Sequence, residues 1–130
     1  GLVFDPIKNE IFYAEKDNGA FYNNQRIRVS KKNDLNECLF VTGGKTQIIP
    51  DLPYRRTGCA ALDIAYVASG RYDGYFQNNL NLWDIAAGIV LVKEAGGLLN
   101  DINLSIYKNI KIIASSPDIN AKLLKKLNNF

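Results

Sequence analysis

Residues 83–97 read WDIAAGIVLVKEAGG and form a stretch with the clearest helix pattern of the sequence. Its large apolar residues recur at spacings of four and three, at Ile85, Ile89 and Val92. This spacing predicts a buried helix from Trp83 to Ala95, and the two glycines that follow are typical of a helix end. A carboxylate in the first turn, Asp84, is therefore expected at the rim of a buried layer.

Outward from this helix, the sequence alternates between strand-like and helix-like patterns. Strands are predicted at Leu2–Phe4, Ile11–Ala14, Ala20–Tyr22, Ile27–Val29, Leu39–Val41, Tyr72–Gln77, Leu98–Leu99 and Ile110–Ala114. A buried helix is predicted from Cys59 to Ser69, and an amphipathic helix is expected after an N-cap at Ser116. A loop through Gly43-Gly44 and the prolines at 50 and 53 is expected after the strand at Leu39–Val41. These elements predict one α/β domain over residues 1–130, a layered mixed β-sheet flanked by helices.

Composition excludes several kinds of site and partner. The net charge of +3 comes from 16 basic and 13 acidic residues spread along the chain, so no nucleic-acid partner is expected. Histidine is absent and there are two cysteines, which excludes histidine-dependent nucleophiles and the usual zinc sites from these residues. A metal here must be held by oxygen. No apolar run reaches the roughly 20 residues of a membrane helix, so we expect no membrane partner and a cytoplasmic location.

The residues alone leave two interpretations of Asp84 open. In the first, its carboxylate stabilises the positive end of the helix dipole. In the second, it is a hard oxygen ligand for Mg²⁺, which binds through one or two carboxylates and keeps several waters or substrate oxygens. A single carboxylate does not decide between them.

Two parts of the stretch, Trp83–Gly88 and Glu94–Gly97, resemble the second signature of the inositol monophosphatase family, most closely its bacterial SuhB-type members. Further similarity to that family follows in order along the chain at Gly1–Pro6, Ala14–Lys16, Gly19–Phe21, Arg26–Ser30, Arg55–Gly58, Leu62–Ala68, Gly70–Arg71 and Asp73–Gly74. The resemblance therefore covers most of the sequence.

The resemblance implies a fold, an activity and roles for particular residues. It implies the carboxy-terminal half of the inositol monophosphatase fold and Mg²⁺-dependent hydrolysis of inositol phosphate or a related sugar phosphate. Asp84 would help to hold one Mg²⁺, and the backbone of Gly58, Cys59 and Ala60 would contact substrate hydroxyl groups. An alternative is that Gly58, Ala60 and Ala61 are small because two layers pack closely, and both interpretations can hold together. No nucleophilic role is expected for Cys59.

The sequence departs from the family pattern at two functional places. The first signature, Asp-Pro-x-Asp-Gly-Thr, is absent, because Asp5 and Pro6 are followed by Ile-Lys. We therefore expect the amino-terminal metal-binding half to be absent and this chain to be inactive by itself, with weak or no Mg²⁺ binding. Gln77 stands where the family has a glutamate that binds inositol hydroxyls, and an amide lacks the charge-assisted strength of a carboxylate.

Two other functions are compatible with the sequence. The chain could be a non-catalytic family fragment that acts as an interaction or regulatory module, as SuhB-type proteins resemble regulators of transcription as well as phosphatases. The pair Arg55 and Arg56 could then lie at a protein interface or be a solvated loop pair. Without the resemblance, the chain would be a small α/β ligand-binding domain. An exposed apolar face, and with it a homo-oligomer or a missing amino-terminal partner, is expected if half of the fold is absent.

Overall fold

The computed structural model describes residues 1–44 and 49–128, which form two β-sheets and three α-helices. The first sheet is an antiparallel meander of β1 (Leu2–Asp5), β2 (Glu10–Glu15), β3 (Gly19–Tyr22) and β4 (Gln25–Arg26). Burial alternates along β1 and β2, so one face of this sheet packs inward. Tight turns connect its strands at residues with positive φ, including Asp17, Gly19, Asn23 and Asn24.

The second sheet is mixed and has the order β6-β5-β7-β9-β8. Its strands are β5 (Phe40–Thr42), β6 (Tyr54–Arg56), β7 (Gly74–Leu80), β8 (Leu98–Leu99) and β9 (Ile110–Ser115), and a 3₁₀-helix at Leu35–Glu37 precedes β5. β5 runs parallel to both β6 and β7, whereas β9 is antiparallel to β7 and β8. The carboxyl ends of β5 and β6, together with the corresponding level of β7, therefore meet at one edge of the sheet.

Three helices complete the layers: α1 (Ala60–Ala68), α2 (Leu82–Glu94) and α3 (Pro117–Lys126). α1 and α2 pack on each other between the sheets, and their apolar side chains form the main core with residues of both sheets. α3 covers the other face of the second sheet, where Ile119 and Leu123 are fully buried in a second cluster. No helix in the described part of the chain is long and apolar enough to cross a membrane.

The predicted fold class is confirmed, and the structure divides the strands between two sheets. Two elements differ from the prediction. Ile27 and Val29 are buried but not in a strand, because the amide of Ile27 bonds to Ala20 while that of Val29 bonds to Ala95 at the end of α2. The strand β6, which directly follows the expected loop, was not predicted, because its exposed arginines hide the strand pattern. Residues 45–48 of that loop lie outside the described residues.

The predicted N-cap of the last helix is at the right residue but is not made by its side chain. Ser116 precedes Pro117 at the first helical position, as expected. Its hydroxyl is buried and has no hydrogen-bond partner among the described residues. The helix start therefore depends on the proline and on the extended backbone of Ser116.

Candidate functional site

Asp84 lies in the first turn of α2 and is half-buried. Its Oδ2 accepts hydrogen bonds from the backbone N–H and the side-chain Nδ2 of Asn81, each at 3.2 Å. The carboxylate thus satisfies an amide at the helix start, which is the first of the two interpretations. Because these bonds use one oxygen only, Oδ1 keeps its capacity for a further ligand.

The turn that follows β6 leads into α1 and carries three predicted site residues. Gly58 has φ +92°, and a Cβ built there would meet nothing within 4 Å. Close packing therefore does not explain this glycine, whereas the left-handed backbone does. Ala60 is half-buried and packs against the main core, which agrees with the packing alternative.

Cys59 is the N-cap of α1 and is exposed, and its extended backbone leads directly into the helix. The first amides of a helix have no partner within it and suit oxygen ligands. Cys38, in contrast, is buried, and burial raises the pKa of its thiol to about 11. Of the two cysteines, only Cys59 is open to reagents.

A buried carboxyl group lies behind this turn. Asp63, on α1, is fully buried, and its Oδ1 accepts a hydrogen bond from the hydroxyl of Thr57. Its Oδ2 has no hydrogen-bond partner among the described residues. Burial raises the pKa of Asp63 to about 6, although the Thr57 bond acts in the opposite direction.

Gln77 lies on β7, one residue beyond the level at which Phe76 pairs with Thr42 of β5. The hydroxyl of Tyr75 donates a hydrogen bond to Gln77 Oε1 at 2.5 Å. The same oxygen contacts Gly43, where a built Cβ would lie only 2.3 Å away. The loop after β5 and the side chain at position 77 therefore fit together because residue 43 has no side chain.

The Tyr75 hydroxyl links the predicted site residues. Burial raises the pKa of Tyr75, and the nearby Asp63, Asp84 and Cys59 raise that pKa further. The bond to Gln77 and these electrostatic effects indicate that the turn and the start of α2 lie near the Tyr75 hydroxyl on β7. The edge at the carboxyl ends of parallel strands is where open α/β sheets bind ligands.

Sequence reasoning did not identify Tyr75, Asp63, Thr57 or Gly43. A tyrosine among apolar residues of a strand is typical of a core position, so Tyr75 gave no signal. Asp63 did give one, since it is the single charged residue in a predicted buried helix.

The donor chemistry of this place suits Mg²⁺ in part. Carboxylate oxygens are the ligands that Mg²⁺ prefers, and Asp84 offers one at the edge of the site. No group of three or more His, Cys, Asp or Glu side chains that could hold a metal occurs in residues 1–44 and 49–128. Asp84 can therefore be one ligand among others from elsewhere.

The fold is that of an α/β protein, and its candidate site lies at the edge between parallel strands and the starts of two helices. The chain belongs to the inositol monophosphatase family, whose model matches residues 1–129. Nus factor SuhB of Pasteurella multocida is 40% identical, in an alignment that covers 98% of this chain and 54% of the relative. An inositol-1-monophosphatase of Caulobacter vibrioides is 35% identical, with 98% and 57% covered.

Solved structures of this family have the same fold. The extragenic suppressor protein SuhB from Bartonella henselae superposes with a TM-score of 0.90 at 42% identity, covering 98% of this chain and 58% of that one. The chain spans about half the length of the curated relatives it matches.

Proposed function

We propose that this chain is the substrate-binding part of a Mg²⁺-dependent phosphatase that acts on inositol phosphate or a related sugar phosphate. The observation that supports it most is the hydrogen bond from the Tyr75 hydroxyl to Gln77, with Asp84 and Cys59 near enough to raise the pKa of Tyr75. The Caulobacter relative carries the name of such an enzyme. The proposal places the remaining metal ligands outside this chain.

Each residue has a distinct task in this proposal. Asp84 would help to hold Mg²⁺, because its Oδ2 is bonded to Asn81 and its Oδ1 is left for a further ligand. The amides at the Gly58–Ala60 turn bind hydroxyl groups of the substrate, and Gln77 contacts the same ligand from β7. When bound, Mg²⁺ supplies the activated water and stabilises charge on the leaving oxygen.

The test replaces one carboxylate in a completed protein. The chain is joined to the portion of the Pasteurella relative that it does not match, and Mg²⁺-dependent phosphate release is measured from inositol 1-phosphate and from fructose 1,6-bisphosphate. Asp84→Asn keeps the shape and the bond to Asn81 but removes the charge, so we expect a loss of activity of about 100-fold or more, beyond the 10–100-fold typical of residues that only support a metal ligand.

Asp118→Asn is the matched control, because Asp118 is also an acid in the first turn of a helix and is exposed. Both substitutions lose a similar helix-dipole contribution of about 0.3–1 kcal/mol. Only Asp84→Asn should abolish the increase in phosphate release that Mg²⁺ causes. Equal activities of the two variants would refute the metal role, and no phosphate release from the native sequence would refute the phosphatase.

A binding role without catalysis is the second candidate. The Pasteurella relative is named a Nus factor and not a phosphatase. The observation that favours this role is the outward face of the first sheet, where Leu2 is 62% and Phe4 49% exposed. Under this hypothesis, Asp84→Asn leaves binding of the protein's partner unchanged.

A further inference from the structure

The Gln77 side chain is held so that only one of its two polar atoms can serve a ligand. Its Oε1 accepts the hydrogen bond from Tyr75 and lies against the backbone of Gly43. A side chain at residue 43 would occupy the position of that oxygen, since a built Cβ comes within 2.3 Å of it. The carbonyl oxygen is therefore enclosed between a phenol and a glycine.

The direction of the Tyr75 bond fixes the orientation of the amide. Burial raises the pKa of Tyr75, and neighbouring Asp63 and Asp84 raise it further, so the phenol keeps its proton and donates it. A separation of 2.5 Å suits an O–H···O bond and is short for an N–H···O bond. The oxygen of the Gln77 amide thus faces Tyr75, and the NH₂ group takes the other side.

The NH₂ group is the part of Gln77 that a ligand can reach. Within residues 1–44 and 49–128, Nε2 donates no hydrogen bond. It lies beside Gly44, where a built Cβ would be 3.5 Å away, and the side chain is only half-buried. An amide NH₂ has two N–H donors and no acceptor.

We propose that Gln77 determines specificity as a hydrogen-bond donor, so that the site prefers a phosphate monoester with a second, acceptor-only oxygen group over one with only hydroxyls. A carboxylate or a second phosphate is such a group. A glutamate at this position would accept hydrogen bonds from hydroxyl groups and repel an anion, whereas the Gln77 NH₂ donates a hydrogen bond to the anion directly. This inference rests on the proposed function, because it names the ligand class of the same site.

The test compares ligands that differ in one group. Glycerol 3-phosphate and 3-phosphoglycerate differ in a hydroxymethyl against a carboxylate, and fructose 1-phosphate and fructose 1,6-bisphosphate differ in a second phosphate. Each is titrated into the ¹⁵N-labelled 130-residue chain in Mg²⁺-containing buffer, following the Gln77 side-chain amide by NMR. We expect the member that carries the acceptor group to bind roughly five- to tenfold more tightly in at least one pair, and to shift the Gln77 amide signal. The pair that shows this difference identifies the acceptor as a carboxylate or as a second phosphate.

Two variants separate amide orientation from charge. Gln77→Glu should reverse the preference, and Tyr75→Phe, which frees Oε1 without changing charge, should reduce it to within about twofold. Asn78→Asp is the control, because it adds the same charge at the next, exposed position of β7 and should keep the preference.

The possible outcomes test the donor role of Gln77 separately from phosphatase activity. Binding of both members of each pair with equal affinity, or identical behaviour of Gln77→Glu and Asn78→Asp, overturns the donor role alone. Absence of any shift at Gln77 with every probe overturns ligand contact by this residue. Phosphate release from the completed protein is an independent measurement and tests only the proposed function.

Discussion

At the scale of single residues, most of the stretch from 83 to 97 has a structural task. Glu94 accepts hydrogen bonds from the amides of Asp17 at 2.7 Å and Gly19 at 3.0 Å, which ties the β2–β3 hairpin to the end of α2. Gly96 has φ +83° and ends the helix region. Asp84 is the residue of this stretch that combines a carboxylate with the edge of the site.

Local pattern could predict some of these residues and not others. Asp84 was predictable because a helix start and a carboxylate are both local in sequence. The partners of Glu94 lie more than 70 residues away in the chain, and no local pattern indicates such a contact. The same holds for Gln77, whose neighbour Gly43 comes from another strand.

Gly58→Ala tests whether the turn before α1 needs a left-handed residue. With φ +92° and open space around a Cβ, the substitution should destabilise the fold by about 1 kcal/mol through backbone strain alone. Urea unfolding measures this loss. The strain should also displace the exposed Cys59 thiol and so change its alkylation rate.

Gly96→Ala is the matched control for the turn, because Gly96 also has positive φ but lies at the end of α2. We expect a similar loss of unfolding free energy and an unchanged alkylation rate at Cys59. If both variants change that rate equally, the effect comes from global destabilisation and not from the turn.

At the scale of elements, the close packing expected from small residues occurs between α1 and α2. A Cβ at Gly88 would lie 2.5 Å from Cγ2 and 2.9 Å from Cβ of Ile64. Periodicity predicted both helices within one residue at each end, because their faces repeat regularly. It missed β6 because this short edge strand gains its structure from pairing with β5 and not from an alternating pattern.

Gly88→Ala measures this helix contact. The added methyl group should destabilise the fold by about 1–3 kcal/mol, because both helix backbones are held by the core. Ile64→Ala removes the nearest atom and should cost about 2–5 kcal/mol by itself. The double variant should lose less than the sum by at least about 0.5 kcal/mol in urea unfolding. If the two losses of unfolding free energy simply add, the methyl group at residue 88 does not clash with Ile64, and the helices can move apart to accept it.

In the molecule as a whole, the first sheet has one face packed against the core and one face exposed to solvent. Its inward face contributes Val3, Phe12 and Ala14 to the core, whereas Leu2 and Phe4 point outward and are exposed. Sequence alternation could predict which side chains share a face. It could not predict what covers the outward face, since a covering segment would be remote in sequence, and self-association of the chain remains a prediction.

Two carboxyl groups give the molecule opposite responses to pH. Hydrogen bonds from Arg71 lower the pKa of Glu10 from 4.5 to about 2, so this ion pair stabilises the fold above pH 4.5 and is lost as the pH falls toward 2. Burial raises the pKa of Asp63 from 3.8 to about 6, so the folded state binds a proton that the unfolded chain has released. Stability from Asp63 is present below about pH 4 and is lost as the pH rises to about 6.

Unfolding free energy should therefore be highest between about pH 4 and 5 and should fall by on the order of 2 kcal/mol toward pH 6.5. Asp63→Asn cannot ionise, yet its amide oxygen can still accept the Thr57 bond, so this variant should lack the decline and be the more stable protein at pH 7. Asp101→Asn, at an exposed position, should keep the decline. Urea unfolding from pH 4 to pH 7.5 measures all three proteins, and a decline that persists in Asp63→Asn would assign the pH response to another group.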